Sequence, residues 1–556
     1  MLRNAIGKSI VLIAATLVTL PSADAQQTPP APKSAASPAL PAPAHRKLTG
    51  EQQRGIRLLK TAEAQATGLR ADMRAFVLWQ AGRAYANFDA SKAAALLDQA
   101  FPVTLSIANP ADDPNCTRGS FCVKGWLQDS ILSEILKKNV KEAEELLPSA
   151  EASIRAGVTA KLVDYYIGKN IFSRAQELLT RTADGSDYRF EAATKLVKAL
   201  PKGSSADRLT IFTQAQNNFE RYGSKEALFS EDFGDMIAGV WEQLPANVVL
   251  GAIDKVLEEA KEHKGTDQMQ VSLAAKGGDT ANLSSMYEVR LFQVLPILRE
   301  LDWSRAEALL RDNAAARANL QRFPNGIATP DSIFVHSGDS RSGEMQMNQQ
   351  VQAQLRQGAE QVVEEAEKNP RQALSDALAL PLSEGDPGLF CPRLSALEGI
   401  ARHQGKKNPK AAKSALDEAV KLADQLSPRE GLSFTDVPEL YLTIGDSDAA
   451  KTALKSLSKI AEKVYSQDIN PDDPNLAFKG IWPSSRLWRS CVETAEKVSA
   501  ELASEIIAAI PDEDISAFQN ITYASSLLNA PTFPATWAER HKNGISLVQM
   551  QGPTEQ

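Results

Sequence analysis

Hydrophobic residues recur every three or four positions along nearly the whole chain from Leu48 onward. This spacing places apolar side chains on one face of a helix. Clear stripes cover Met73–Tyr85, Ala412–Leu426 and Val498–Ile510, and most such segments end at Gly, Pro or Asn, as helices commonly do. The alternation that indicates a strand is weak, and Ser332–His336 is its best candidate. We therefore predict an all-α protein.

Two short patterns recur within these helical segments. Ala-x-x-Leu-Leu begins at Ala93, Ala143, Ala175 and Ala306. A tyrosine lies nine residues before an alanine, with Gly or Asn between them, at Tyr85/Ala94, Tyr166/Ala175 and Tyr441/Ala450. The physical interpretation is a helical hairpin, in which the tyrosine packs from the first helix and the small alanine lets the second helix approach closely. The predicted architecture is therefore an α-α superhelix of antiparallel helical hairpins.

The Tyr…Gly…Ala pattern resembles the tetratricopeptide repeat, and Leu162–Leu179 resembles it most closely. The start-to-start spacing departs from that family's period of about 34 residues, and its early Trp and closing Pro are not present in register. The resemblance implies an α-solenoid of tetratricopeptide or another hairpin type. It identifies no ligand.

A larger module occurs near both ends of the chain. After Tyr85 come Asn109–Asn115, Lys124-Gly125-Trp126 and Pro148, and after Tyr441 the same landmarks follow in the same order. The second set is Asn470–Asn475, Lys479-Gly480-Ile481-Trp482 and Pro511. Duplication of a multi-helix module is the simplest explanation. Chance recurrence of an Asp-Pro-rich turn is the alternative, because such turns commonly connect helices.

The N-terminal residues predict export. Residues 1–25 have early positive charges, an apolar run to Leu20 and the small-x-small sequence Ala23-Asp24-Ala25, which is typical of a cleaved signal peptide. Residues 26–47 form a Pro/Ala-rich segment that we expect to be a disordered spacer, with a docking site for a proline-binding partner as the alternative. We expect the mature chain to lie in the periplasm or outside the cell, with no transmembrane segment.

The remaining boundaries follow from composition. Residues 323–343 are rich in Gly, Ser, Pro and Asp, which predicts a flexible loop or hinge. We therefore expect an N-terminal repeat domain at 48–322, a C-terminal repeat domain at 344–545 and a disordered tail at 546–556. A weaker break covers Lys264–Asn282, where Gly265, Gly277 and Gly278 occur.

Composition excludes some partners. The chain has 61 basic and 69 acidic residues, a net charge of −8, so general nucleic-acid binding is not expected. Aromatic residues make up 6% of the chain, which disfavours an extended carbohydrate cleft built on stacking platforms.

The residue pattern contains no recognisable catalytic site. The five histidines are scattered, and none lies in a zinc-binding spacing. Nucleophile-elbow, phosphate-loop and dinucleotide-binding motifs are lacking, and Ser337–Ser340 lies in a loop with no evident base. We predict no catalytic residue, no cofactor and no metal site.

The paired acids of the duplicated turns, Asp112-Asp113 and Asp472-Asp473, are the residues with the best functional potential. Adjacent carboxylates could bind calcium with nearby Asn oxygens, although the spacing differs from a calcium loop. The alternative is structural, since Asp and Asn before Pro build turns and cap helices.

Four cysteines are present. In an exported protein, Cys116 and Cys122 are close enough in sequence to form a local disulfide. Cys391 and Cys491 lie far apart in the sequence, and in a solenoid they would meet only if the array closed on itself. The sequence does not decide how these two are paired.

Two classes of function fit these observations. The first is an exported, non-catalytic helical repeat scaffold that binds a protein or peptide. The second is an exported helical-toroid enzyme that acts on carbohydrate through paired carboxylates. An open groove lined by small and polar side chains would favour binding, whereas a deep pocket with two facing acids would favour the enzyme.

We expect the chain purified from the producing cell to begin at Gln26, because the small residues Ala23 and Ala25 suit the signal-peptide cleavage site. Intact-mass measurement checks this. The variant Ala25→Leu should retain the signal peptide, whereas Ala31→Leu, within the spacer, should be processed normally. Recovery of the uncleaved wild-type chain would contradict the prediction of export.

Overall fold

The structure is a computed structural model, and it describes residues 48–107, 123–183, 185, 188–222, 233–262, 269–274, 280–283, 285–326, 332–337, 357–382, 391–468 and 478–532. Helices dominate these residues, as predicted. No helix among them has the length and apolar content needed to cross a membrane.

The first part of the chain forms α1 (Gly50–Gln65), α2 (Ala71–Tyr85), α3 (Ala90–Leu105), α4 (Val123–Lys138), α5 (Val140–Leu146), α6 (Ala152–Gly168), α7 (Phe172–Thr182) and α8 (Phe190–Ala199). It continues with α9 (Ser205–Tyr222), α10 (Phe233–Val240), α11 (Ala246–Glu262), α12 (Met286–Leu301), α13 (Trp303–Asp312) and α14 (Ala314–Arg322).

The second part forms α15 (357–365), α16 (Pro370–Ala379), α17 (Pro392–Gln404), α18 (Pro409–Leu422), α19 (Val437–Thr443), α20 (Ser447–Asp468), α21 (Pro483–Val498), α22 (Ala500–Ala509) and α23 (Glu513–Leu527). One helical turn, Pro428–Gly431, and the 3-10 turns Ala66–Gly68, Leu147–Ser149, Trp241–Gln243, Leu432–Asp436 and Lys479–Ile481 connect some of them.

Local sequence explains many of the helix boundaries. Thr49 and Gln52 form the capping box that the sequence predicts at the start of α1. Asp89 and Asn408 cap α3 and α18 through their side-chain oxygens. Consecutive helices pack as pairs, for example α2 with α3, α17 with α18, and α21 with α22. The fold is therefore a helical array of hairpins.

A small antiparallel sheet is the exception to the all-α prediction. Strand β1 (Met269–Ala274) lies between β2 (Thr280–Leu283) and β3 (Ser332–Ser337), with Val271 opposite both Leu283 and Val335. Ser332–His336, the best strand candidate in the sequence, is indeed a strand. Strands β1 and β2 lie mostly within Lys264–Asn282, the segment for which the sequence indicated only a weaker break.

The expectation of a flexible loop at 323–343 is wrong for the parts that the structure describes. Phe323 is buried, and Gly326 has a φ of +60°, a conformation that favours glycine. Further on, Ile333, Phe334 and Val335 are good strand formers that pair along β1. This pairing could not be predicted from composition, because Gly and Ser surround a short run of apolar residues.

Two hydrophobic clusters make up the core. One extends from Leu59 to Phe323 and includes Phe478 and Phe518, which come from near the C-terminal end of the described chain. The other extends from Ala359 to Leu527. The domain limits 48–322 and 344–545 remain predictions, since the first cluster takes residues from both sides of the proposed hinge.

The first and last described helices lie against each other. Helices α1 and α2 both pack on α23. We call this contact, together with the aromatic cluster beside it, the seam. The seam contains Phe76, Trp126, Phe478 and Phe518, with ring centroids 5.1 Å apart for Phe76–Phe478, 5.2 Å for Phe76–Phe518 and 5.6 Å for Trp126–Phe478. All four side chains are buried, so apolar surface from both ends of the chain is removed from water together.

Polar groups of the seam are paired as well. Lys479 Nζ lies 2.7 Å from Asp512 Oδ2 and 2.7 Å from Asp514 Oδ2. The Arg70 amide donates to Asp514 Oδ1 over 3.2 Å. A single lysine therefore pairs with two largely buried carboxylates, one of which also binds the backbone of the opposite end of the chain.

Where the structure describes them, the two copies of the duplicated module have the same order of helices. The N-terminal copy is α1–α6 and the C-terminal copy is α18–α23. In both copies an acid just before the last helix pairs with the landmark lysine: Lys124 Nζ lies 3.7 Å from Glu151 Oε1, as Lys479 pairs with Asp512. Both copies also end in a left-handed Asn two residues beyond the helix, with φ of 59° at Asn170 and 53° at Asn529. These shared features support duplication over chance.

The contacts that α23 makes at the seam match those that its counterpart α6 makes with the helices after it. After α6, the next helices α7 and α8 pack on it in chain order. Helices α1 and α2 pack in the same way on α23, the counterpart of α6, although they lie at the other end of the sequence. Helices α1 and α2 therefore occupy, relative to α23, the place that α7 and α8 occupy relative to α6.

We expect Gly480→Ala to destabilise the protein by roughly 1–3 kcal/mol, because it overpacks the seam. A Cβ atom there would lie 2.6 Å from Phe518 Cε2 and would also clash with Phe478. Gly251→Ala, where the new methyl meets no other atom within 4 Å, is the control and should gain up to about 1 kcal/mol from helix propensity. Urea unfolding measures both, and equal stabilities of the two variants would contradict the packing described here.

Candidate functional site

A surface groove of about 390 Å³ lies between α18 and α20. Helix α18 contributes Lys413, Asp417 and Val420, and α19 contributes Tyr441. Asp446, Asp448, Ala449 and Thr452 line the opposite side, at and beyond the start of α20. The groove is open to solvent, and most of its lining is small or polar.

Helix periodicity explains why these side chains face the groove. The apolar stripe Ala412, Ala415, Leu416 and Ala419 of α18 is buried in the core, as predicted from the sequence. Lys413, Asp417 and Val420 are spaced three or four residues apart and lie beside this stripe. On the other side, Gly445 adopts a φ of +79°, and Asp446 then caps α20 by accepting from the Ala449 amide over 3.0 Å.

The charged groups in the groove interact with one another. Lys413 Nζ lies 2.6 Å from Asp446 Oδ2 and 3.7 Å from Asp417 Oδ1. The Tyr441 hydroxyl donates to Asp417 Oδ1 over 2.7 Å. Hydrogen bonding to Lys413 lowers the pKa of Asp446, and the Ala449 amide adds to this effect. With three aspartates and one lysine, the lining carries an excess of negative charge.

The hydrogen bond from Tyr441 belongs to an arrangement that occurs three times in the described residues, a tyrosine at the end of one helix linked to a carboxylate on the preceding helix, which we call the tyrosine clamp. In two clamps the link is direct, because Tyr166 donates to Glu144 and Tyr441 donates to Asp417. In the first clamp Lys92 makes the link, since its Nζ donates to the Tyr85 hydroxyl over 3.2 Å and lies 2.7 Å from Glu63 Oε2. Burial raises the pKa of all three hydroxyls, so each remains a donor at neutral pH. The recurring tyrosines of the sequence therefore connect adjacent hairpins.

The predicted partner alanine is correct in two of the clamps and displaced by one residue in the other. Ala175 and Ala450 are buried, but in the first hairpin Ala93 is buried and Ala94 is only half-buried. The reason is a shorter turn. The Tyr85 carbonyl accepts from the amide four residues later, whereas the Tyr166 and Tyr441 carbonyls accept from the amide five residues later.

The sequence singled out two pairs of acids and two pairs of cysteines as candidate site residues. Asp112, Asp113, Asp472 and Asp473, and the proposed Cys116–Cys122 disulfide, lie outside the described residues, so their roles stay predictions. Cys391 and Cys491 are both buried free thiols. Burial raises the pKa of Cys391 and raises that of Cys491 to about 12, so neither is a ready nucleophile at neutral pH.

One acidic side chain outside the groove has a strongly altered environment. Glu398 lies on α17, and its Oε1 is buried with no hydrogen-bond partner among the described residues. Burial raises the pKa of Glu398 to about 8, and the nearby Asp436 carboxylate adds to the increase. Asp436 itself pairs with Arg402 over 2.5 Å. Glu398 is therefore mostly protonated at neutral pH, which sequence periodicity alone could not indicate.

We expect Glu398→Gln to become increasingly more stable than the wild type as the pH rises from about 5 to about 9. The unfolded carboxyl loses its proton near its ordinary pKa of 4.5, whereas the folded one holds it until about 8. The wild type therefore loses stability across this interval, and the gap should reach roughly 2–4 kcal/mol. Urea unfolding at several pH values measures it.

The control for this experiment is Glu360→Gln, which removes a carboxylate from an exposed position on α15. Its stability relative to the wild type should change little over the same range. Parallel pH curves for wild type and Glu398→Gln would show that Glu398 ionises in the folded protein as it does in the unfolded chain.

Within the described residues, no group of three or more His, Cys, Asp or Glu side chains is placed to hold a metal ion. No protein-family model matches the chain. No curated protein matches it either. Among solved structures, the chain is similar to a circular tandem repeat protein with novel repeat topology and enhanced subunit contact surfaces, at 13% identity, with 88% of this chain and 100% of that chain covered and a TM-score of 0.14. The assignment as a helical repeat array rests on the hairpins and clamps of the chain itself.

Proposed function

We propose that this protein is an exported, non-catalytic helical repeat scaffold that binds a protein or peptide segment in the groove between α18 and α20. The observation that carries the proposal is the groove itself, which is open and lined mainly by small and polar side chains. A carbohydrate hydrolase, the alternative, would instead use two carboxylates on either side of the scissile glycosidic bond. In the groove, Asp417 and Asp446 are both within 4 Å of one lysine and are engaged by it.

The hairpins are proposed to be of tetratricopeptide type. The tyrosine at the end of the first helix and the buried alanine early in the second helix recur in three hairpins. The clamps add a feature that would fix the spacing of neighbouring hairpins, because each tyrosine is linked to a carboxylate on the helix before it, directly for Tyr166 and Tyr441 and through Lys92 for Tyr85. Rigid spacing favours binding, since a preformed surface loses little entropy when a partner docks.

Export and the spacer complete the proposal. The N-terminal 25 residues have the character of a signal peptide, and the Pro-rich segment 26–47 would separate the helical array from whatever its N-terminal end contacts. The most consistent setting is the cell envelope or its exterior, where a fixed partner protein is available.

The test is affinity capture of partners from the envelope of the producing cell, with the wild-type chain and two charge-reversal variants. Asp448→Lys alters the groove, where the Asp448 side chain is 94% exposed, so folding should tolerate the change. Asp207→Lys is the matched control, because Asp207 is exposed in the first turn of another helix, α9. We expect a protein that the wild type and Asp207→Lys retain and that Asp448→Lys loses by about tenfold or more.

Two outcomes would contradict the proposal. Retention of the same proteins by all three chains would place binding elsewhere on the surface. Release of reducing sugar from envelope polysaccharide by the wild-type chain would instead support the carbohydrate enzyme.

A further inference from the structure

Two turns in the second part of the chain repeat the same basic sequence. Residues Lys368–Arg371, with the sequence Lys-Asn-Pro-Arg, connect α15 to α16, and residues Lys406–Lys410, with the sequence Lys-Lys-Asn-Pro-Lys, connect α17 to α18. We call them the basic turns. Asn369 and Asn408 cap the following helices with nearly identical φ/ψ angles, −142°/84° and −145°/77°. Each turn therefore places its cations at the N-terminal end of a helix in the same way.

The two basic turns lie side by side. At the ends of α15 and α17, Gln404 Nε2 donates to the Ala366 carbonyl over 2.5 Å, and His403 Nε2 lies 2.9 Å from Glu367 Oε1. The helices that follow the turns, α16 and α18, also contact each other. Because the axes of packed helices are about 8–10 Å apart, the two turns form one surface at the ends of adjacent hairpins.

The cations of this surface are exposed, and among the described residues none of them pairs with an acid. They are Lys368, Arg371, Lys406, Lys407 and Lys410. The next turn along the array contains Asp446 and Asp448, but Lys413 lies 2.6 Å from Asp446 Oδ2 and Lys451 lies 3.2 Å from Asp448 Oδ1. The positive charge of the basic turns is therefore not compensated by the turn beside them.

The shape of the surface distinguishes between a small anion and an extended one. The five cations are spread over the ends of two hairpins, and none of them lines the groove between α18 and α20. A small anion gains most from donors that converge on it, whereas a plane of anionic headgroups can meet every exposed cation at once. Clusters of four to eight basic residues are typical of segments that bind anionic lipids.

The charge of the whole chain distinguishes between a flexible polyanion and a flat surface. The net charge is −8, so a long polyanion that wraps the protein would also meet regions that repel it. A flat surface would touch only the hairpin ends. On a helix that stands on its N-terminal end, Glu418 of α18 is about 14 Å above Pro409, which exceeds the Debye length of about 8 Å at physiological ionic strength.

We propose that the basic turns bind an anionic lipid surface, so that the ends of these hairpins face the headgroups of a membrane. Attraction between the five cations and the lipid phosphates supplies the binding, and the partial positive charge at the N-termini of α16 and α18 adds to it. This inference goes beyond the proposed function and uses no residue that lines the groove.

The first experiment measures co-sedimentation of residues 26–556 with vesicles, so that the apolar run of residues 1–25 does not contribute. One set of vesicles is phosphatidylcholine alone, and the other contains about 30% phosphatidylglycerol. We expect saturable binding to the anionic vesicles only, with a loss of about tenfold or more in affinity when the salt rises from about 0.05 M to about 0.5 M, because salt screens the charges. Equal binding to both vesicles, or binding that salt does not weaken, would overturn the proposal.

The second experiment removes the cations of each turn. The triple variant Lys406→Gln, Lys407→Gln and Lys410→Gln should lower the affinity for anionic vesicles about a hundredfold, since each cation near such a surface contributes about fivefold. The double variant Lys368→Gln and Arg371→Gln should lower it about 25-fold on the same basis. A loss confined to one of the two variants would overturn the proposal of a surface that both turns share.

The matched control removes three charges elsewhere. Lys60, Lys138 and Lys202 are exposed and, within the described residues, form no ion pair. The variant with glutamine at all three positions should bind anionic vesicles within about twofold of the wild type, because these lysines lie on the first part of the chain, away from the basic turns. A loss as large as that of the Lys406, Lys407 and Lys410 variant would show that only net charge matters and would overturn the proposal.

Soluble polyphosphate tests the choice of a lipid surface over a flexible polyanion. At equal phosphate concentration, we expect polyphosphate to bind about tenfold or more weakly than anionic vesicles, because it also meets the acidic remainder of the chain. Equal affinity for polyphosphate that depends on the same lysines would reject the lipid surface.

Discussion

Docking of α1 and α2 on α23 is the interaction on which the rest of the described structure depends. A helix in a repeat array has apolar surface toward both neighbours, and the last helix of an array must leave one side uncovered or find another element to cover it. Here α1 and α2 cover α23. Leu527 and Leu528 meet the backbone of α1 at Gly55, where even a methyl group would lie 2.8 Å from Leu528 Cγ.

This docking has a consequence for the cores. Because Phe478 and Phe518 pack against Phe76, the hydrophobic cluster of the N-terminal part cannot form fully without residues from near the end of the described chain. These contacts join residues hundreds of positions apart, and such contacts cost more loop entropy to form than local ones. The helical hairpins can form locally, but the seam must wait for the whole chain.

The contrast between local and long-range contacts also explains what the sequence predicts and what it does not. Helix stripes, the Thr49 capping box and the Tyr166/Ala175 hairpin are local, and periodicity identifies them. The one-residue displacement at Ala93 depends on a turn length that a fixed spacing of nine could not anticipate. The pairing of β1 with β3 joins segments some sixty residues apart in a context rich in Gly and Ser, and no local pattern indicates it.

The residues of the groove could likewise not be identified from the sequence. Its acids are common surface residues, and Asp417, Asp446 and Asp448 have no motif that distinguishes them from other helix acids. The three tyrosines were visible in the sequence, but their carboxylate partners lie 22 to 24 residues earlier, on another helix. Only the structure shows that Glu144 and Asp417 accept from their tyrosines and that Lys92 links Tyr85 to Glu63.

Comparison of the three tyrosine clamps shows which features of each clamp are shared and which differ. A single groove with three aspartates would be an ordinary acidic surface, since exposed carboxylates are common and their pairs contribute little. The other two clamps show that the same position beside the carboxylate accepts different cations. Lys92 and Arg174 come from the following helix, whereas Lys413 comes from the carboxylate's own helix, α18. Where Ala449 replaces the cation of the following helix, Lys413 pairs with Asp417 instead, and Tyr441 keeps its hydrogen bond to the same carboxylate. A scaffold built from repeats can in this way vary the charged side chains around one contact, because the surrounding fold already fixes the geometry of the hydrogen bond.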